Sequence, residues 1–178
     1  MKKKIFLIPL ILMVLLTACG QQKNYNYNRL NVKTIINNEY INEDFNEEYS
    51  TVYFKSKENT KSYEYIIKEE DKEEYSLDSA STYLLSMKDI LKQSYQMSKK
   101  ETKTTKKSKG QFICTYEYSA IDNDNTIYTV KTKYIYDTKT KEAVMVIAFI
   151  DDSDKKEIKE SLNQIFDETV LKTDEELK

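Results

Sequence analysis

The 178-residue chain carries 28 basic and 30 acidic side chains, a formal net charge of −2, and contains neither histidine nor tryptophan. This length suits one domain plus a tether, and the mildly acidic balance argues against a nucleic-acid partner, which calls for a basic face along the phosphates. Without histidine, no Ser-His-Asp or Cys-His arrangement exists to activate a nucleophile.

The N-terminus opens with Lys2, Lys3 and Lys4, followed by the apolar run Ile5 to Leu16. As a helix this run spans only ~18 Å of a ~30 Å hydrocarbon core, too short for a stable transmembrane anchor. It ends in Leu16-Thr17-Ala18-Cys19. In this order the segment resembles a bacterial lipoprotein signal. The resemblance implies that residues 1–18 are a signal peptide, cleaved before Cys19 once a diacylglyceryl group is attached to its thiol. The mature chain is then expected on the outer, extracytoplasmic face of the cell membrane. Each buried methylene contributes ~0.8 kcal/mol, and two acyl chains hold stably where one holds marginally. An ordinary secretory signal with an incidental cysteine is the alternative. Cleavage removes three lysines and no acids, leaving a net charge of about −5. With Cys19 lipidated, Cys114 is the only thiol and no intramolecular disulfide can form.

Residues 19–48 are rich in asparagine and charge, with Asn24, Tyr25, Asn26, Tyr27 and Asn28 reading as low complexity. Ile35, Ile36, Tyr40, Ile41 and Phe45 show no sustained period, so the segment is predicted to be a flexible tether, with part of it open to joining the fold. The domain is expected over 49–178. Alternation at Val52 and Phe54, and again at Tyr63, Tyr65 and Ile67, predicts a β-hairpin. After the charged connection Glu69 to Glu74, the three- and four-residue spacing of Leu77, Ala80, Leu84, Met87 and Leu91 predicts a helix over about Ser76 to Met97, with Ser76 as N-cap.

A lysine-rich stretch, Lys99 to Lys109, leads to a turn at Gly110. Phe112, Cys114, Tyr116 and Tyr118 then share one strand face, and Tyr128, Val130, Tyr134 and Tyr136 share one face of the next. Pairing Tyr118 with Tyr128 and Tyr116 with Val130 would place both apolar faces on one side. Ala143 to Ile150 is apolar throughout, as a central strand requires. Asp154 and Glu157 resemble a capping pair opening a last helix, whose stripe is Ile158, Leu162, Ile165, Phe166 and Val170. The abundance of tyrosine, 15 in all, follows from AT-rich codon usage and from its preference for strands.

Hairpin, helix, antiparallel strands and helix define an α+β layered arrangement. From Thr51 to Leu171 this order resembles the PsbP-like fold family. The likeness is strongest between Lys103 and Phe166, with the Lys109-Gly110 turn, the strand Phe112-Ile113-Cys114-Thr115-Tyr116-Glu117-Tyr118, a polar hairpin, the apolar strand, the acidic turn and the last helix. It implies an antiparallel sheet with a helix after the first hairpin and a C-terminal helix packed on it. Many members are bacterial surface lipoproteins.

Asp122, Asp124 and Thr126 begin like a calcium loop, but Ile127 replaces the required glycine and Lys133 the bidentate glutamate, so a polar turn is expected and no metal. Asp151, Asp152 and Asp154 suit a helix N-terminus. Cys114, mid-strand on an apolar face, reads as a small buried hydrophobe. Lys99, Lys100, Lys103, Lys106, Lys107 and Lys109, with Glu101, read as a soluble strand edge; anionic headgroups or wall polymers are the alternative partner for them. No enzyme activity and no cofactor are expected. The function expected is that of a membrane-anchored, non-enzymatic interaction or accessory module of the envelope, whose partner is an envelope protein or polymer. The alternative is a small amphiphile-binding lipoprotein in which Tyr116, Tyr118, Tyr128, Tyr134 and Tyr136 line a cleft.

Overall fold

The computed structural model describes residues 20–27, 30–46, 48–58, 60–68, 77–108 and 110–172. The signal segment, Cys19, the connection 69–74, Ser76, Lys109 and residues 173–178 lie outside them. Seven antiparallel strands make the main sheet: β3 (Ile41–Asn46), β4 (Thr51–Ser56), β5 (Tyr63–Lys68), β6 (Gln96–Ser108), β7 (Gln111–Ile121), β8 (Ile127–Asp137) and β9 (Ala143–Asp151). Their spatial order is β3-β4-β5-β9-β8-β7-β6. The apolar run thus becomes the body of the fourth of seven strands, buried throughout as its composition predicts, with Asp151 closing the strand. The lysine-rich stretch is the edge strand β6, where Glu101 to Lys107 are exposed. An unpaired edge carrying lysines resists further strand addition.

The described residues between 20 and 46 are not a tether. β1 (Gln21–Tyr27) and β2 (Leu30–Ile36) pair antiparallel and form a second, three-stranded sheet with β10 (Val170–Leu171), and β3 adds the far edge of the main sheet. Tyr25, Val32, Ile36 and Ile41 all join the core. Thr34 is buried between Val32 and Ile36, its hydroxyl donating to Ile165 O at 3.1 Å.

Two helices cover opposite faces of the main sheet. The first, α1 (Leu77–Leu91), lies over β7 and β8. It ends six residues earlier than its apolar spacing predicts. The N–H groups of Ser94 and Tyr95 turn back onto Leu91 O at 3.0 Å each, and Tyr95 packs its ring on Tyr128 and Phe149. The second, α2 (Lys156–Glu168), buries Ile158, Leu162, Ile165 and Phe166 against β9 and β2. Its N-cap is Lys155, without a side-chain cap; Asp154 instead accepts a hydrogen bond from Ser62 Oγ. Val170 belongs to β10 and not to the helix stripe.

The β7–β8 register is shifted by two residues from the predicted one: Tyr118 faces Val130, Tyr116 faces Thr132 and Ala120 faces Tyr128. A two-residue shift keeps every side chain on its predicted face. The strands run on to Ile121 and Ile127 because the turn between them is tight. Asp122 Oδ1 accepts the N–H groups of Asp124 and Thr126 at 2.9 and 2.8 Å, and Asn125 takes the left-handed φ of 62°. The first hairpin splits its apolar sets. Val52 and Phe54 join Ile66 on the α2 face, whereas Tyr63 and Ile67 pack against the cluster beneath α1.

Candidate functional site

Two adjacent rows of residues cross the α2 face of the sheet. One runs Phe54, Glu64, Ala148, Lys131, Glu117, Thr102, and the next Val52, Ile66, Val146, Lys133, Thr115, Thr104. Both change character at β8. Their β4, β5 and β9 members are fully buried and, Glu64 apart, belong to the apolar core to which α2 contributes; from β8 onward the rows are polar throughout.

There a cleft of about 200 Å³ opens, lined by Thr102, Thr104, Thr115, Glu117, Lys131, Phe166 and Asp167, together with Tyr116. The Lys131 ammonium lies 3.6 Å from Glu117 and 5.6 Å from the Phe166 ring centre. Thr104 and Thr115 share a hydrogen bond of 2.9 Å between their hydroxyls. The lining offers hydroxyl donors and acceptors, two carboxylates, one ammonium and one aromatic ring, which suits recognition of a polar group by hydrogen bonds. It holds no nucleophile paired with a base.

Beneath the cleft, Lys133 closes the C-terminus of α2. Its ammonium donates to Phe166 O, to Thr169 O at 3.1 Å and to Asp167 O at 3.3 Å, satisfying carbonyls that the helix leaves open. Burial pushes the Lys133 pKa down to about 8, against the pull of Glu64, Asp167 and Glu168. Glu64 is fully buried, and neither carboxylate oxygen has a hydrogen-bond partner. Burial raises its pKa well above the usual carboxylate range, against the opposing charges of Lys133 and Lys131. For both groups desolvation outweighs mutual attraction.

The five tyrosines predicted as a possible ligand face, Tyr116, Tyr118, Tyr128, Tyr134 and Tyr136, do share one core cluster, each 5% exposed or less. Leu84 and Met87 of α1 join the same cluster, Tyr83 lies 5.4 Å from Tyr134, and Lys88 and Lys103 place their ammonium groups over the rings of Tyr118 and Tyr116. A ligand there would have to displace packed side chains. The more open aromatics on this face are the half-buried Tyr53, Tyr63 and Tyr65, of which Tyr53 stacks on Tyr65 at 4.6 Å and Tyr63 on the buried Phe149 at 4.9 Å. Cys114 is buried, and burial pushes its thiol pKa up. Lys61 occupies the side of the Asp122 turn where a cation would sit, 3.5 Å from Asp122 and 3.0 Å from Asp124. Among the described residues no three His, Cys, Asp or Glu side chains converge as metal ligands.

The residues around the cleft carry no motif in the sequence. Lys131 and Lys133 alternate with Val130, Thr132 and Tyr134, which places them on the face opposite the tyrosines.

No protein-family model matches the chain, and no curated protein matches it. Solved structures do. The solution structure of cyanobacterial PsbP (CyanoP) from Synechocystis sp. PCC 6803 superposes with a TM-score of 0.61 at 13% identity, covering 87% of this chain and 94% of that one. The Ran-binding protein Mog1p from Saccharomyces cerevisiae gives a TM-score of 0.51 at 6% identity, over 85% of this chain and 96% of that one. The fold is PsbP-like and broadly α+β.

Proposed function

We propose that the chain is a lipid-anchored, non-enzymatic interaction or accessory module of the cell envelope, held on the outer face of the membrane through diacylglyceryl Cys19. The observation that carries this reading is the order of the N-terminal segment, Lys2 to Lys4, then apolar Ile5 to Leu16, then small Thr17 and Ala18 before Cys19. Gly20, the residue after that cysteine, is packed on β2, and β1 opens at Gln21. No helix among the described residues is long and apolar enough to cross a membrane, so attachment rests on the acylated cysteine. A two-sheet fold carrying an open polar cleft suits recognition, and the Ran-binding protein Mog1p has a similar fold, although fold alone does not dictate function. The cleft is the recognition surface in this reading.

Expression in a bacterial host tests it. Wild-type protein should sediment with membranes and resist extraction by high salt, whereas Cys19→Ala should abolish lipid attachment and lipoprotein-specific cleavage. Wild-type protein released by salt would refute the anchor.

A further inference from the structure

One end of the domain gathers six pieces of chain: Gly20 with the start of β1, the β2–β3 turn (37–40), the β4–β5 connection (57–62), the α1–β6 connection (92–95), the β7–β8 turn (122–126) and the β9–α2 connection (152–155). They are cross-tied. Asn38 Nδ2 donates to Gln21 Oε1 at 3.3 Å, Lys61 reaches Asp124 at 3.0 Å, and Lys155 reaches Glu58 at 2.8 Å. Gly20 has no slack, since a Cβ there would lie 2.6 Å from Ile35 Cγ2 and 3.0 Å from Ile36 O. Cys19 is its neighbour in the chain, about 3.8 Å away between Cα atoms.

We infer that this end is a membrane-apposed surface: the acyl chains on Cys19 enter the bilayer directly beside it and hold the turns at 37–40, 57–62 and 122–126 against the lipid headgroups. The inference rests on the anchor proposed above and adds an orientation to it. β8 spans Ile127–Asp137, so at about 3.4 Å per residue the β8–β9 turn at the opposite end stands about 35 Å farther out. The cleft, four residues along β8 at Lys131, opens sideways above the membrane. Lys61 and Lys155 are matched by acids of the same end, so the anchor and not attraction to anionic lipid sets the contact.

The test uses the full lipidated chain in phosphatidylcholine vesicles containing a nickel-chelating headgroup lipid. Nitroxide labels are placed at Asn123→Cys, in the β7–β8 turn, and at Lys139→Cys, in the β8–β9 turn, both exposed positions. Cys114 is buried, and the labelled parent chain reports its background. Relaxation by nickel should be greater at 123 than at 139 by about fivefold or more, given the strand length between them. A flexible Gly/Ser linker of about twelve residues inserted between Cys19 and Gly20 should bring the ratio close to one. Equal relaxation at the two positions without the linker, or greater relaxation at 139, overturns the inference, as does a ratio that the linker leaves unchanged. The intact mass of the same sample separates the two ideas. An acylated Cys19 with equal relaxation removes only the orientation, and an unmodified Cys19 removes the anchor and the orientation with it.

Discussion

Replacing Glu64 by leucine should stabilise the protein, and increasingly so as pH rises. Glu64 is fully buried on β5 with Lys133, Lys131 and Asp167 as its charged surroundings, and neither carboxylate oxygen has a hydrogen-bond partner. An unsatisfied buried polar group costs ~1–3 kcal/mol, and a leucine of similar reach removes that cost while adding apolar contact with Phe54, Ile66 and Ala148. Lys133 loses an attractive charge but keeps the carbonyls of Phe166, Asp167 and Thr169. The net gain is ~1–2 kcal/mol below pH 4, where the carboxyl is neutral in the folded and unfolded states alike. Because the folded pKa is raised, its contribution to stability is fully present below the unfolded value of ~4.3 and is lost as pH rises toward the folded value. Over that window the wild type should lose ~1.4 kcal/mol per pH unit relative to Glu64→Leu. Urea titrations of the chain from Gly20 onward, followed by tyrosine fluorescence at a series of pH values, read this directly. With a slope of ~2 kcal/mol/M, each pH unit separates the two midpoints by a further ~0.7 M. A Glu64→Leu midpoint below wild type, or a separation independent of pH, would show that Glu64 has an ionised, stabilising role that this reasoning lacks.

Ile36→Ala should cost ~2–5 kcal/mol, as a large-to-small change at a fully buried site; a urea midpoint equal to wild type would return residues 20–46 to the status of a tether. Ile147→Ala, on the central strand, should cost a similar ~2–5 kcal/mol, less any relief from its slight exposure, and an unchanged midpoint would argue against a central β9. Tyr118→Phe removes a buried hydroxyl without a hydrogen-bond partner, so stability should hold or rise by up to ~1 kcal/mol, and a loss larger than that would reveal a partner for the hydroxyl. Amphiphilic ligands should give no saturable quenching of tyrosine fluorescence, because the five tyrosines beneath α1 are packed. Saturable quenching at micromolar ligand, lost in Tyr128→Ala, would favour the carrier alternative.

What the sequence disclosed and what it hid follow from the range of the interactions. The run Ala143 to Ile150, the alternation in β7 and β8, and the stripe Ile158, Leu162, Ile165 and Phe166 are each written in one continuous segment, and each took the predicted form. β2 was illegible for a specific reason. Its inward positions are Val32, Thr34 and Ile36, and the buried threonine in the middle breaks the apolar alternation; its hydroxyl is satisfied only by distant residues, donating to Ile165 O, 131 residues away, and accepting from Thr169 Oγ1. The early end of α1 depends likewise on Tyr95 finding Tyr128 and Phe149. Of the cleft, the Glu117–Lys131 pair lies within the β7–β8 hairpin, but the predicted register set Glu117 opposite Thr129, and only the two-residue shift brings Lys131 there. Thr102 and Thr104 needed the position of β6, and Phe166 and Asp167 needed the helix to cross the sheet. The tyrosine face was legible as a shared face, whereas how fully a helix closes that face is set by packing that sequence does not show.

The most direct test of the account is the intact mass of the mature protein taken from the membrane fraction. The account predicts a chain that begins at Cys19, lacks residues 1–18 and carries a diacylglyceryl group on its first residue. A chain that keeps its first eighteen residues, or one that begins near Cys19 with the thiol unmodified, would contradict it.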